Sequence, residues 1–509
     1  MSAIINIIPK PVEVEFKNDV FQLSKETVIL RDVECEKLAD QLREVIFDFH
    51  HLKLSMNSIK KKNSANSIIL KIIPESLHSE EAYRLYVNTK NVEIHSSNLK
   101  GIFYGIQSLK QLLFQGIKIP CLTMNDYPRF SWRGFMLDEA RHFFGIEEVK
   151  KILDVMALLK FNIFHWHLTD DQGWRIEIKK YPLLMEISSK RNGTSTDKRK
   201  LMSDLQKDKS KIDLVPVSGF YTQDEIKEII NYAKERFITI IPEIDFPGHV
   251  QAVLAAYPEL SCSGGPFEVS KNFGVHKDVF CIGKEEVFTF SKNVFKEIME
   301  LFPSSIIHTG GDEVPIRRYK KCSHCQSRMK KEGLNNEKQL QSYYTSKIGE
   351  YLEENGHILM GWNEILNEHL CEKAICQFWA GDFNLTIDHI KKGRKTIMSD
   401  MRYVYLNYPY KLTSLRKTYD YEPIPDELIN YNKANILGIE ACLWSEYVKN
   451  VEILEYQIFP RLIAIAEIGW TLKENKNIKF FEQRLQTFLR ILEYQNINYA
   501  ENEDIQIQF

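Results

Sequence analysis

The sequence has little that would bring it to a membrane or to nucleic acid. No run of apolar residues approaches the roughly 18–20 that a membrane-spanning helix needs. Acidic and basic residues nearly cancel, with 69 Asp and Glu against 67 Lys and Arg, so no overall field attracts a polyanion or an anionic bilayer. The opening "MSAIINIIPKPVEVEF" lacks the basic segment that begins a signal peptide. We therefore expect no membrane or nucleic-acid partner and a cytoplasmic protein as written, with export after signal removal as the alternative.

Cysteine is too sparse and scattered for a disulfide scaffold. Nine cysteines, an odd number over a long chain, favour free thiols. Cys262 and Cys281 flank a glycine-rich loop and could be bridged if the protein were exported. "CSHC", Cys322 to Cys325, has the spacing of a zinc ligand pair, but no second pair lies nearby in sequence. We interpret it as two thiols near a helix start and expect no metal and no cofactor.

The length of 509 residues exceeds what one hydrophobic core usually supports, about 250–300 residues, so we expect two domains. Residues 1–125 alternate short mixed runs with helical stretches, which predicts a compact α+β domain. Residues 126–509 alternate short, very apolar runs with amphipathic helices, the pattern of βα units around a parallel sheet. Eight such units predict a (β/α)8 barrel. The predicted strands are "GFMLDEA", "FNIFHWHL", "ITIIPEID", "SIIHTGGDE", "ILMGWNE", "AICQFWAG", "KTIMSDMRYVYL" and "ILGIEACLW".

Nearly every predicted barrel strand ends in polar or aromatic residues. The carboxyl ends of barrel strands converge on one face, where barrel active sites lie. A single Trp or acidic residue there is more often packing or a helix cap, but recurrence across eight strands predicts one polar, aromatic pocket. A long surface loop, Ser188 to Gly219, is predicted on the same face. The strand-end residues are Asp138, Arg141, His165, His167, Asp170, Asp171, Glu243, Asp245, His249, Asp312, Glu313, Trp362, Glu364, Trp379, Tyr405, Asn407, Trp444 and Glu446.

Two neighbouring carboxylates, Asp312 and Glu313, end the run "IIHTGGDEVP". Side chains of neighbouring strand residues point to opposite faces, so the two can share a pocket only where the chain bends, and Gly310 and Gly311 permit that bend. Two close carboxyl groups resist joint ionisation, and the drier one is pushed toward its protonated form. The pair thus offers one acid and one anion, the combination that glycoside hydrolysis needs.

The remaining strand-end residues favour a sugar as the substrate. Aromatic faces pack on the apolar surface of a pyranose, and bidentate polar groups read its hydroxyls. No P-loop or GxGxxG turn is present to cradle a phosphate. His165 and His167 in "HWH" are predicted to be one packed and one pocket-lining imidazole, because strand side chains alternate faces, which argues against a shared metal ion.

Several long motifs resemble glycoside hydrolase family 20, the β-N-acetylhexosaminidases. The resemblance runs in order from about residue 5 to about residue 495, and "IIPKPVEVEF" resembles the opening of the small domain that precedes the barrel in that family. It implies an exo-acting retaining enzyme in which the substrate's 2-acetamido oxygen is the nucleophile. The motifs are "YPRFSWRGFMLDEARHFF", "HWHLTDDQGWRIEIKKYP", "GFYTQDEI", "PEIDFPGH", "HTGGDEVP", "GWNEI", "FWAG", "YLN" and "LWSE".

The resemblance also implies roles for individual residues. Asp312 would orient the acetamido group, and Glu313 would act as general acid and then as base. Asp170 and His249 would form a relay that orients Glu313. The implied sugar-binding residues are Arg141 for ring hydroxyls, Trp362, Trp379 and Trp444 as walls, Tyr405 as donor to the acetamido carbonyl, and Glu446 for outer hydroxyls.

One position departs from the family pattern, because "YLN" places Asn407 where Tyr-Leu-Asp is usual. An amide lacks the charge assistance of a carboxylate, which leaves the preference between gluco and galacto sugars open. Two competing hypotheses are a disaccharide-releasing or transglycosylating enzyme with the same mechanism, and a sugar-binding barrel without catalysis. The natural substrate is open, and so is the oligomeric state, for which a homodimer is one option.

Overall fold

The computed structural model describes residues 5–59, 66–75, 77–195, 212–428 and 435–501. Its first part is a mixed seven-stranded sheet, ordered β1-β7-β5-β6-β4-β2-β3. Both helices of this part pack on the sheet, and Asn98 caps the second by accepting a hydrogen bond from the Lys100 amide. Numbered along the chain, the elements are β1 (Glu13–Gln22), β2 (Val28–Arg31), α1 (Glu36–His50), β3 (Ser55–Ser58), β4 (Ser67–Ile72), β5 (Tyr83–Val87), β6 (Asn91–Ser96), α2 (Leu99–Phe114) and β7 (Lys118–Asp126).

Eight parallel strands then close into a barrel, so the predicted (β/α)8 fold and the α+β domain before it are confirmed. Each predicted strand run overlaps one barrel strand, although the first strand, "WRGFMLD", begins two residues before the predicted run "GFMLDEA". That strand is buried along its whole length. The barrel strands are β8 (Trp132–Asp138), β9 (Ile163–His167), β14 (Thr239–Glu243), β15 (Ile306–His308), β16 (Ile358–Trp362), β17 (Ile375–Phe378), β18 (Thr396–Met398) and β19 (Ile436–Leu443).

Helices surround the barrel, and two small ribbons lie on its carboxyl-terminal side. The start of α4 is fixed by a capping box, in which Thr222 and Glu225 bond to each other's backbone amides. The ribbon strands are β10 (Thr169–Asp170), β11 (Gly173–Trp174), β12 (Lys190–Asn192) and β13 (Pro216–Ser218). The helices are α3 (Ile146–Leu158), α4 (Gln223–Lys234), α5 (Gln251–Ala256), α6 (Glu285–Leu301), α7 (Ser323–Glu332), α8 (Glu337–Glu354), α9 (Phe383–Lys391), α10 (Met401–Val404), α11 (Leu415–Tyr419), α12 (Val451–Ile458), α13 (Arg461–Trp470) and α14 (Ile478–Tyr494).

Two local predictions need correction. The seventh strand is shorter than predicted, because Asp400 accepts a hydrogen bond from the Arg402 amide and starts α10 directly after β18. Tyr405 rejoins the sheet through a bridge to Cys442. The predicted loop from Ser188 to Gly219 begins and ends in the paired strands β12 and β13, and its residues 196–211 lie outside the described residues.

The two parts of the chain are joined by buried charges. Arg133 of β8 lies 2.8 Å from the Glu81 carboxylate and donates to the Lys160 carbonyl. The Lys160 ammonium in turn lies 2.8 Å from Asp126, at the end of the first sheet, and both of these side chains are fully buried. Such pairs are costly to break one partner at a time, so they fix the barrel against the first domain.

Among the described residues, the helices are all too short or too polar to cross a bilayer.

Candidate active site

The carboxyl ends of the barrel strands bring the predicted site residues to one pocket. Its lowest layer, which we call the floor, consists of Glu243, Glu440, His165, His167 and Asp170, all buried. Both carboxylate oxygens of Glu243 have close partners: Oε1 accepts from the Trp362 indole at 2.8 Å, and Oε2 lies 2.6 Å from His167 Nδ1. The floor is thus a compact network of paired charges.

The predicted alternation of His165 and His167 was wrong. Residues two apart on a strand share a face, and both imidazoles point into the barrel, with His165 Nε2 3.1 Å from Glu243. Burial alone would lower the pKa of His165, but Glu440 and Glu243 raise it to about 9. His165 is therefore positively charged at neutral pH. The Glu243 carboxylate contacts both imidazoles.

Asp170 connects the floor to the catalytic pair. Its Oδ2 lies 2.7 Å from an Arg141 Nη2 and 2.9 Å from His167 Nε2, and its Oδ1 lies 3.1 Å from His249 Nδ1. Burial works to raise the pKa of Asp170, but Arg141 and His249 hold it well below its usual value. The carboxylate is therefore an anion that can orient His249.

His249 stands between Asp170 and the catalytic pair. Its Nε2 lies 3.8 Å from Asp312 Oδ2 and 3.7 Å from Glu313 Oε2. Burial alone would lower the pKa of His249, but Asp170 raises it well above its usual value. An imidazolium thus faces both carboxylates, and these distances are long enough to tighten when a substrate binds.

The backbone around Asp312 and Glu313 bends as the two glycines allow. Gly310 and Gly311 have φ of 62° and 94°, and Glu313 itself has φ of 50°, a region that costs energy for a residue with a Cβ. A Cβ on Gly310 would lie 1.8 Å from Asp245 Oδ1, the oxygen that accepts from the Gly311 amide. Asp245 therefore holds the bend that places both carboxyl groups in one pocket.

The two carboxyl groups differ in exposure. The Asp312 side chain is 12% exposed and that of Glu313 is 39% exposed. Burial raises the pKa of Asp312 to about 7, opposed by His249 and assisted by Glu364. Asp312 is therefore the drier group. From the sequence alone it would be the protonated member of the pair, whereas the family resemblance makes it the anion and Glu313 the acid. Its Oδ1 is buried with no hydrogen-bond partner among the described residues. Such an acceptor gains most from an N–H donor that carries positive charge.

Aromatic rings form the walls above the floor. Trp362 and Trp444 lie with ring centroids 5.7 Å apart, and Tyr405 and Trp379 stack at 6.2 Å with an interplanar angle of 14°. The Trp379 indole donates to Glu364, 3.0 Å away. These contacts hold the rings in place, so the walls are formed before any ligand binds.

Two of the predicted hydroxyl-binding groups, Arg141 and Glu446, lie close enough for their charges to interact. Arg141 is fixed by Asp138, Asp170 and Gln172, with its guanidinium 5.0 Å from the centre of the Trp444 ring. Burial raises the pKa of the Glu446 carboxyl group, and the positive charge of Arg141 acts to lower it. The amide oxygen of Asn407 is buried and has no hydrogen-bond partner among the residues described.

Several pocket residues, Glu440 of the floor among them, were not assigned a role from the sequence. Gln172 holds Arg141, and Asp171 Oδ2 lies 3.1 Å from His249 Nδ1. Tyr408 and Met401 pack with the aromatic walls. Asp171 and Gln172 stand inside the "DDQGW" run of the second motif, so the signal was present, but Met401 reaches the pocket only because α10 follows β18.

The barrel and its carboxylate-rich pocket define the class of a (β/α)8 glycoside hydrolase. Residues 130–473 match the family model described as glycosyl hydrolase family 20, catalytic domain, and residues 4–127 match the model of domain 2 of the same family. The chain belongs to glycosyl hydrolase family 20.

Relatives and solved structures agree. The chain is 38% identical to the β-hexosaminidase of Porphyromonas gingivalis over 523 residues, which cover 97% of this chain and 64% of that protein, so it spans just under two thirds of that relative. It superposes with a TM-score of 0.83 and 29% identity on the exo β-N-acetylglucosaminidase of Vibrio harveyi in complex with N-acetylglucosamine, covering 98% of this chain and 80% of that one. The β-N-acetylhexosaminidase of Bacteroides fragilis gives a TM-score of 0.82 at 29% identity and 99% coverage of both chains.

Proposed function

We propose that this chain is an exo-acting β-N-acetylhexosaminidase. It removes terminal, non-reducing β-linked N-acetylglucosamine or N-acetylgalactosamine from oligosaccharides or glycoconjugates, with retention of configuration. The observation that supports this most is the pair of unlike carboxyl groups: a buried Asp312 with an unused acceptor oxygen beside a more exposed Glu313. The named activities of the relatives agree with it.

In the first step, the acetamido oxygen of the substrate attacks the anomeric carbon as the bond to the leaving oxygen breaks. Glu313 gives its proton to that oxygen, which departs as an alcohol. The acetamido N–H donates to Asp312, whose poorly solvated anion balances the positive charge of the oxazolinium ion that forms. Two adjacent residues are needed because one serves the nucleophile and the other the leaving group.

In the second step, Glu313 acts as the base. It takes a proton from water, which attacks the anomeric carbon and reopens the oxazolinium ring, so the second inversion restores the β configuration. His249 lies within 4 Å of both carboxyl groups, and its positive charge limits the repulsion between them. Asp170 keeps the imidazole oriented through both steps.

The walls and the hydroxyl-binding side complete the specificity. The rings of Trp362 and Trp444 enclose the apolar face of the sugar, and Tyr405 donates to the acetamido carbonyl. Arg141 binds ring hydroxyls with its orientation already set by three partners, so little entropy is lost on binding.

The test compares p-nitrophenyl β-N-acetylglucosaminide with p-nitrophenyl β-glucoside, which lacks the internal nucleophile. We expect cleavage of the first, little of the second, and inhibition by a thiazoline that mimics the cyclic intermediate. Full activity on the glucoside would refute the mechanism. A covalent sugar trapped on a side chain would refute it as well.

Glu313→Gln separates the acid from the base role. The variant should lose about 10²–10⁴-fold in kcat for substrates with poor leaving groups, which need protonation, and less for activated aryl glycosides. Equal losses for both kinds of leaving group would show that Glu313 is not the acid.

A further inference from the structure

Four cysteines meet outside the pocket, behind the loops that follow β14 and β15. They are Cys262, Cys281, Cys322 and Cys325, with all four sulfur atoms within 4.8 Å of one another. Cys322 and Cys325 belong to the "CSHC" run at the start of α7, whereas the other two lie more than 40 residues earlier in the chain. Adjacent βα loops bring them together.

The spacing of the sulfur atoms fits a tetrahedral metal site. The Sγ of Cys281 lies 3.4 Å from that of Cys322 and 3.7 Å from that of Cys325, which lies 3.8 Å from Cys262. Zinc–thiolate bonds of about 2.3 Å in a tetrahedron place sulfur atoms about 3.8 Å apart. A disulfide would bring two of them to about 2.05 Å, and all nine cysteines are free.

The backbone is shaped to bring these loops into contact. A Cβ on Gly283 would lie 2.3 Å from the backbone nitrogen of Cys325, so only glycine allows the two segments to approach. The Cys281 amide donates to the Leu260 carbonyl at 2.7 Å, and Lys284 Nζ donates to the carbonyls of Glu259 and Ser261. Hydrogen bonds thus hold two ligand-bearing segments together beside a lysine cation.

We propose that the four cysteines bind one structural zinc ion. Binding replaces the four thiol protons with the ion, which leaves a tetrathiolate centre of net charge −2 that the neighbouring Lys284 partly offsets. All four positions are filled by protein, as in closed structural zinc sites, so the centre has no catalytic role. It cross-links the loop of His249 to the loop of Asp312 and Glu313, and so stabilises the catalytic pair from behind.

The sequence predicted that "CSHC" is only two thiols near a helix start, because only residues close in sequence were considered as further ligands. Cys281 and Cys262 enter the site from the preceding βα loop, which no local spacing rule would include. Disulfides remain the rival: Cys262 with Cys281 and Cys322 with Cys325 would consume four thiols and hold no metal.

The test measures metal and thiols in the full chain expressed in zinc-supplemented medium. We expect one zinc per chain by elemental mass spectrometry and nine thiols after denaturation with a chelator, since the sequence has nine cysteines. Cys322→Ser with Cys325→Ser should retain less than a tenth of the zinc. The matched control is Cys35→Ser with Cys121→Ser, two buried cysteines in the first domain, which should keep the full zinc content.

A second measurement keeps the proposal testable if the serine variant does not fold. Titration of the folded wild-type chain with an organomercurial should release one zinc per chain, detected by a chromogenic chelator, as the four site thiols are modified. Cobalt(II) added to the reduced, metal-free chain should give the thiolate charge-transfer and intense d–d bands of a tetrahedral site. Absence of zinc in both the purified and the zinc-reconstituted chain, iron in place of zinc, or five thiols in place of nine would overturn the proposal.

Discussion

The floor of the pocket differs from its upper part, by which we mean the part that contains Asp312, Glu364 and Asn407, in how its polar groups are paired. In the floor, Glu243, Glu440 and Asp170 have a close partner at each carboxylate oxygen. In the upper part, Asp312 Oδ1 and Asn407 Oδ1 are buried with no partner in the described part of the chain. Paired groups fix geometry, whereas unpaired buried acceptors are costly unless a ligand supplies the donor. We infer that the floor preorganises the site and that the upper part awaits the amide and hydroxyls of a sugar.

Asp312→Asn, a change in the upper part, should give the largest loss of activity. The amide cannot balance a developing positive charge, so kcat should fall by about 10²–10³-fold while the fold is retained. Steady-state kinetics and circular dichroism of the same preparation check this. Near-normal turnover would contradict the role of Asp312.

Glu243→Gln tests the floor. Loss of this carboxylate leaves the buried, protonated His165 and His167 without their shared partner, and we expect about 3–5 kcal/mol lower free energy of unfolding. Urea denaturation measures the change. Glu364→Gln in the upper part is the matched control and should leave stability nearly unchanged; equal losses in both variants would erase the distinction between the layers.

Glu364→Gln also has a predicted pH effect. Asp312 must be an anion to accept from the amide, so kcat/KM should fall as pH drops through its pKa of about 7. The negative charge of Glu364 raises that pKa, and its removal should therefore move the acidic limb of the profile to lower pH. If the acidic limb of the kcat/KM profile stays at the same pH, a group other than Asp312 controls it.

Asn407→Asp should give the smallest effect. A carboxylate accepts hydroxyl donors more strongly than an amide, so KM should fall by about 2- to 10-fold for the sugar whose hydroxyl reaches this position. Comparing p-nitrophenyl β-N-acetylglucosaminide with the galactosaminide identifies that hydroxyl. Unchanged KM for both would place residue 407 away from the sugar.

The fold was predictable because each barrel strand is a short apolar run bounded by polar residues. Where the sequence misled, the cause was local: Asp400 caps a helix inside what reads as a continuous strand, and His165 and His167 share a face that alternation was taken to separate. The strand-end positions identified the pocket, but partners such as Arg141 and Gln172 depend on tertiary contacts that no spacing encodes. The four cysteines are the extreme case, since their grouping arises from two neighbouring loops of the closed barrel.

The ion pairs of Arg133 and Lys160 limit how this enzyme can be shortened. Each cation belongs to the barrel part of the chain, yet each has its carboxylate in the preceding domain, at Glu81 and Asp126. A barrel expressed by itself would keep both positive charges on the face that the first domain covers and lose the groups that neutralise them. Engineering of the catalytic part must therefore carry the first domain along or replace both cations with neutral side chains.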